Sequence, residues 1–454
     1  MAVIDPSPGV PVAASPHGPG AILRRQSLGE PSARTYARKL PIVPVRARGL
    51  TIEGADGKRY LDCLSGSGSL VLGHNHPVVL DAIRGVLDSG APLHTPDLVT
   101  PAQEAFTEAL FESLPSAFAD RARIQFCGPG DAEAVQAALK LVGRATGRRG
   151  TLVFAGAHHG TSAGDAEDVR AARLPFPRDY RCPFGIGGPQ GGELSARWTE
   201  ALLNDVESGP HRPAGMLVEA VQGAGVHPAP DAWMRRIREI TAARDIPLIV
   251  DETATGVGRT GAFWAVEHSG VVPDVMILSR AVGGSLPLAV VVHREGLDAR
   301  SPGLHTGTFR GNQLAMAAGA ATLAHVTANG LAERAAILGA RMLDRLRALA
   351  AGHPCIGEVR GRGLMIGIEL VDPEGGSAAR PGTPDEADRQ PAPPAPELAE
   401  SVQRECLRRG LIVELGGEQP SVVRLLPPLT LTDEQASAVL DRLADALTAS
   451  APRW

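Results

Sequence analysis

Between about residues 100 and 325, helix-forming stretches such as "DAEAVQAALKLV" alternate with short apolar runs: "GTLVFAG", "GMLVEAV", "IPLIVDE" and "DVMILS". Each run is followed by glycine or small polar residues. No other feature of the chain restricts its fold so far. Strands alternating with helices build a mainly parallel sheet covered by helices on both faces, an α/β architecture that gathers ligands at the carboxyl ends of its strands.

The flanking segments read differently. Residues 1–48 form an amino-terminal arm, rich up to about residue 40 in Pro, Gly and Arg. In 49–66, "GLTIEGADGKRYLDCLSG", apolar and polar residues alternate around Ala-Asp-Gly, which predicts a hairpin. Residues 49–100 are expected to join a smaller α+β domain completed by 326–454, with 101–325 as the large domain. The Pro-, Gly- and charge-rich stretch 372–396 is expected to be a mobile loop.

With 43% hydrophobic and 21% charged residues in 454, the chain can bury a large core. The net charge of −5, without long runs of one sign, argues against nucleic acid or an electrostatic membrane anchor. Small molecules and protein chains are the expected partners. Cys63, Cys127, Cys182, Cys355 and Cys406 are scattered without C-x-x-C pairs, and no stretch reads as a signal peptide or membrane span. A cytoplasmic protein is expected. His74 and His76 in "GHNHP" read as a turn, and no metal is expected.

Four segments carry a resemblance: "LPIVPVRARGLTIEGADGKRYLDCLSG", "GRTGAFWAVEHSGVVPDV", "GTFRGNQLAMAAG" and "VVRLLPPLTLTDEQ". The chain resembles the class III aminotransferases, pyridoxal-phosphate enzymes of fold type I, and most the diaminobutyrate–2-oxoglutarate transaminases. The resemblance implies roles for single residues. Asp251, ending "IPLIVD", matches the carboxylate that pairs with the pyridinium nitrogen. Thr308 matches a hydroxyl reaching the phosphate from a neighbouring subunit, and Arg424 matches the arginine that grips a substrate carboxylate. Gly130 and Asp131 fall at the phosphate-binding helix start, and His158 falls where an aromatic stacks on the ring. A homodimer is implied, with 305–312 crossing to the neighbour's site.

Departures from the family pattern cluster in the same places. Arg280 stands where the Schiff-base lysine is expected, and a guanidinium is a poor nucleophile and a poor base. Asp131 puts a carboxylate beside the phosphate cup, where it could serve as a helix cap. Ala254 replaces a glutamine, Ala224 replaces a glutamate, and the loop after His158 is about a dozen residues shorter than in relatives.

A direct ion pair from Arg280 to Asp251 or Asp131 is expected, since an unpaired charge in a pocket is costly. Of the adjacent His158 and His159, at least one is expected to serve packing or hydrogen bonding; Glu252 reads as structural, and Arg310 as either structural or functional. Three readings remain open. The favoured one is a repurposed enzyme, independent of pyridoxal phosphate, acting on a carboxylate-bearing small molecule, with Arg280, His158 and Asp251 as catalytic groups and the cofactor contacts vestigial. The others are a non-catalytic relative and an atypical transaminase that still uses pyridoxal phosphate, held non-covalently.

Overall fold

The computed structural model describes residues 40–157, 159, 171–205, 212–298, 307–375 and 391–450. Strands β1 (Pro44–Arg48), β2 (Thr51–Gly54) and β3 (Arg59–Asp62) form an antiparallel meander. The β2–β3 hairpin turns at Ala55–Lys58, where Gly57 adopts φ +77°, as the Ala-Asp-Gly signal predicts.

A seven-stranded sheet follows. Its strands are β4 (Ala122–Phe126), β5 (Thr151–Phe154), β6 (Ala171–Leu174), β7 (Gly215–Val218), β10 (Leu248–Asp251), β11 (Val275–Leu278) and β12 (Val290–Arg294), in the order β4-β12-β11-β10-β7-β5-β6. A small ribbon of β8 (Val221–Gln222) and β9 (His227–Pro228) interrupts the numbering. Only β12 runs against its neighbours. The four apolar runs singled out in the sequence are β5, β7, β10 and β11, and every residue in them is buried. Residues buried on both faces have no polar side to alternate, which is why these strands read as continuous apolar runs.

Helix Asp131–Thr146 packs Ala134, Val135, Ala138 and Val142 into the core, and Gly147 stops it in the left-handed conformation, φ +66°. The carboxyl-terminal part forms another sheet: β13 (Ile356–Arg362), β14 (Met365–Leu370), β16 (Glu414–Gly416) and β17 (Val422–Leu425), in the order β13-β14-β17-β16. Strand β15 (Leu411–Ile412) returns to pair in parallel with β3, so the first and last segments share a sheet. Residues 1–39 of the expected arm and most of the expected mobile loop lie outside the described residues; the end of the arm requires correction, because Pro44–Arg48 is β1 and pairs with β2 in the first sheet. Among the described residues no helix is long and apolar enough to cross a membrane.

Candidate active site

The carboxyl ends of β4, β5, β7, β10 and β11 lie along one edge of the large sheet, and the turns leaving them meet there. Asp251 is the last residue of β10 and is 3% exposed. Its Oδ2 meets Nδ1 of buried His159 at 2.9 Å, and its Oδ1 accepts the Thr253 N–H at 3.0 Å. Burial alone would raise the Asp251 carboxyl, but the hydrogen bond and charge of His159, with the Thr253 bonds, bring it below the usual carboxylate range. Burial likewise opposes a charged His159; the Asp251 hydrogen bond and the nearby Glu219 carboxylate outweigh it and raise the imidazole. The pair is an ionised carboxylate steadied by a buried imidazole, and His159 Nε2 finds no hydrogen-bond partner among the described residues.

Arg280 follows β11 and opens a short 3-10 turn, Arg280–Gly283, with φ +53°. A non-glycine residue held there costs about 1–2 kcal/mol, and such strain gathers at functional sites. Its Nε donates to Asp131 Oδ2 at 2.7 Å, Nη2 reaches the same oxygen at 2.6 Å, and Nη1 donates to the Ser67 carbonyl at 3.1 Å. The expected direct ion pair is therefore present, and its partner is Asp131. Asp251 is taken by His159 instead.

The helix-cap reading of Asp131 requires correction. Gly130 is the N-cap of helix Asp131–Thr146, no side chain caps it, and Asp131 is the first helical residue, with its carboxylate turned to Arg280. The carboxylate lying over this helix start is that of Glu133. A Cβ placed on Gly130 would sit 2.8 Å from Glu133 Oε2, and one on Gly128 would sit 2.8 Å from Glu133 Cγ. Gly307 packs against Gly128 of the same chain, so the exposed Thr308 stands beside this loop.

In the carboxyl-terminal sheet Arg424 of β17 faces Glu414 of β16 as its cross-strand partner. Arg424 Nη2 is ion-paired to Glu414 Oε2, and Nη1 donates to the Gly223 carbonyl at 2.6 Å. Gly223 lies in the turn after β8: its N–H donates to Glu219 Oε1 at 2.9 Å, and a Cβ on it would stand 3.5 Å from Ala254 Cβ. Arg424 thus binds the turn that packs against Ala254, three residues beyond Asp251.

The remaining candidates take structural partners. Arg310 binds Asp97 and the Gly307 carbonyl; His74 binds Asp62 at 2.8 Å; the His76 ring packs at a tilt against His325, centroids 4.9 Å apart. Glu252, as expected, is buried and structural, accepting from Thr255 and from the Val266 N–H. His158 lies outside the described residues. Sequence reading missed Glu133, Glu219 and Glu414. It expected at least one of His158 and His159 to serve packing or hydrogen bonding without choosing which; His159 makes such a bond, to Asp251.

Residues 32–447 match the family Aminotransferase class-III. The diaminobutyrate–2-oxoglutarate aminotransferase of Rhizobium meliloti is 48% identical over 446 residues, covering 95% of this chain and 92% of that protein. The enzyme of the same name from Haemophilus influenzae is 41% identical over 435 residues, covering 92% and 93%. An amine transaminase from an uncultivated Pseudomonas species, solved in its pyridoxal-phosphate-bound form, superposes with a TM-score of 0.80 at 29% identity, covering 93% of this chain and 98% of that one. The fold is thus the fold type I arrangement.

These findings correct the favoured functional reading. Near full-length relatives named as transaminases, and a cofactor-bound structure of the same fold, overturn the expectation of a repurposed enzyme without pyridoxal phosphate. The contacts of Asp251 allow the same conclusion, because a buried carboxylate kept ionised suits a pyridinium N–H.

Proposed function

Because the chain belongs to the class-III aminotransferase family, we propose that it binds pyridoxal 5'-phosphate at the Asp251 edge of the large sheet and moves an amino group from L-2,4-diaminobutyrate to 2-oxoglutarate. The observation that carries this reading is the Asp251–His159 pair: a carboxylate held ionised inside the protein, at the strand ends where this architecture places ligands. When bound, the cofactor would supply an aldehyde carbon that takes the amino group and a ring that spreads the electron pair left when solvent takes up the proton, since Arg280 is a poor base.

The chain's own residues divide the remaining work. Asp251 would pair with the ring nitrogen, and His159 fixes the orientation of Asp251. Gly128, Gly130 and the first N–H groups of helix Asp131–Thr146 would receive the phosphate, which requires Glu133 to move from over Gly130. Thr308 would add a hydroxyl to the phosphate, and Arg424 would take a substrate carboxylate.

In this reading Arg280 occupies the place of the family's Schiff-base lysine. Its guanidinium is engaged by Asp131 and the Ser67 carbonyl, so the cofactor would be held by ion pairs and hydrogen bonds instead of a covalent bond. The Arg280–Asp131 pair is neutral as a unit, which removes Asp131 as a net repulsive charge against the phosphate.

We also infer a homodimer. Leu98, Val99 and Phe309 are exposed large apolar side chains beside the Thr308 turn, and a second copy would bury them.

The test is glutamate formation from 2-oxoglutarate and L-2,4-diaminobutyrate, with and without added pyridoxal phosphate, followed by borohydride reduction and intact mass. Cofactor-dependent glutamate with no mass increase on the enzyme is expected. Absence of cofactor-dependent glutamate overturns the activity, and a covalent increment overturns the non-covalent holding.

A further inference from the structure

We propose that a second cavity, between helices Gly188–Asn204 and Asp231–Ala242 and strand β13, binds a free α-amino acid with an apolar side chain, Asp179 and Glu358 taking its ammonium and Arg178 and His227 its carboxylate. Its volume is about 700 Å³, within the roughly 300–1,000 Å³ usual for small-molecule sites. None of Asp131, His159, Asp251, Arg280 and Arg424 lines it. Pro177, Pro189, Pro228, Pro230 and Val359 supply an apolar wall for a side chain.

His227 is the residue that points to a ligand. It is only 8% exposed, it lines the cavity, and its ring makes no hydrogen bond with the described residues. Burial, with Arg360, Arg178 and Arg181 nearby, keeps the imidazole neutral, so it holds out one N–H and one lone pair that nothing in the protein answers. Arg178 stands close enough to act on His227. Of its five N–H donors only one at Nη2 is engaged, ion-paired at 2.5 Å to Glu418, whose side chain is 64% exposed. A carboxylate arriving from solution can take the place of Glu418 on the guanidinium and accept the His227 N–H as well.

The opposite charge lies beside this pole. Asp179 follows Arg178 in the chain and also lines the cavity; its Oδ1 accepts the Gly188 N–H at 2.6 Å and leaves Oδ2 open. Glu358 gives Oε2 to Arg360. Burial raises the Glu358 carboxyl against the opposing Arg360, and the neighbouring Glu369 and Asp179 carboxylates raise it further. An ammonium placed between Asp179 and Glu358 relieves that crowding of like charges. A carboxylate without an ammonium forgoes this contact, and an amine without a carboxylate leaves His227 and Arg178 as they were. The head that answers both poles carries the two charges on one carbon.

Isothermal titration of the full-length protein with L-phenylalanine, 3-phenylpropanoate and phenethylamine tests the cavity, the last two lacking the ammonium and the carboxylate in turn. L-Phenylalanine is expected to saturate one site per chain and to bind about 10-fold tighter or more than either analogue, the loss expected for one charge-assisted contact. Asp179→Asn, which keeps an acceptor for the Gly188 N–H, should weaken L-phenylalanine about 10-fold and leave 3-phenylpropanoate unchanged. Glu418→Gln removes the carboxylate that competes for Arg178 and should tighten L-phenylalanine about 3-fold. Arg424→Ala should leave its affinity as in the wild type, and loss of binding in the folded variant would put the ligand at the Asp251 edge and overturn the proposal. Absence of saturable binding by the wild type, or equal affinity for all three compounds, also overturns it. Should Asp179→Asn not fold, Glu418→Gln decides: tighter binding supports the cavity, and unchanged or weaker binding refutes it.

Discussion

Replacing Glu133 with glutamine should tighten pyridoxal phosphate and leave pyridoxal untouched. Glu133 folds back over the start of helix Asp131–Thr146, its Oε2 2.8 Å from where a Gly130 Cβ would stand. A phosphate entering that cup meets a carboxylate that has to swing outward and still remains close. At roughly 5 Å and an effective dielectric constant of about 60, each pair of like unit charges costs about 1 kcal/mol. A phosphate bearing nearly two negative charges is therefore opposed by about 2 kcal/mol, or roughly 10- to 30-fold in Kd. The substitution also removes a favourable charge from the first helical turn, a stability loss of about 0.3–1 kcal/mol. Fluorescence titration with both vitamers at two salt concentrations reads the effect, which should shrink as salt screens it. An equal gain for pyridoxal, or none for pyridoxal phosphate, would refute the placement of the phosphate at this helix start.

Two buried titrating groups give pH predictions. Burial raises Glu252 from 4.5 to about 7 against the opposing Thr255 and Val266 bonds, so its share of stability is full below pH 4.5 and is lost as pH rises towards 7. Glu252→Gln should remove about 1.4 kcal/mol per pH unit of slope across that window in urea unfolding, and an unchanged slope contradicts the assignment. Burial, with Arg360, Arg178 and Arg181 nearby, lowers His227 from 6.5 to about 2, so its share is full above pH 6.5 and is lost on acidification. His227→Gln should flatten the acid limb between about pH 6 and 4 by a similar slope; a curve parallel to wild type would count against a neutral buried imidazole.

The central strands were legible because residues buried on both faces leave an unbroken apolar run, as in "LIVD" and "VMIL". The β2–β3 hairpin was legible from its turn chemistry. Arg280 and Asp131 were suspected of pairing because each put a charge into a pocket that had to be neutralised. What the sequence hid depends on register and on rotamers. Glu414 faces Arg424 only through the pairing of β16 with β17 across a chain reversal, and no local pattern announces it. Glu133 displaces Asp131 as the carboxylate over Gly130 because the Arg280 guanidinium has already drawn Asp131 away. The functional misreading had a different origin. The departures at Arg280, Asp131, Ala254 and Ala224 were given more weight than the likeness over the whole chain, whereas the Arg280–Asp131 pair balances its own charge and the Asp251–His159 pair stands intact beside it.

Equilibrium dialysis of pyridoxal phosphate against the wild type and Asp251→Asn tests the central claim most directly. The account predicts saturable binding of one cofactor per chain by the wild type, and binding weakened about 10-fold or more in Asp251→Asn, through loss of a charge-assisted hydrogen bond to the ring nitrogen. Absence of saturable binding by the wild type, or equal affinity in the two proteins, would contradict it.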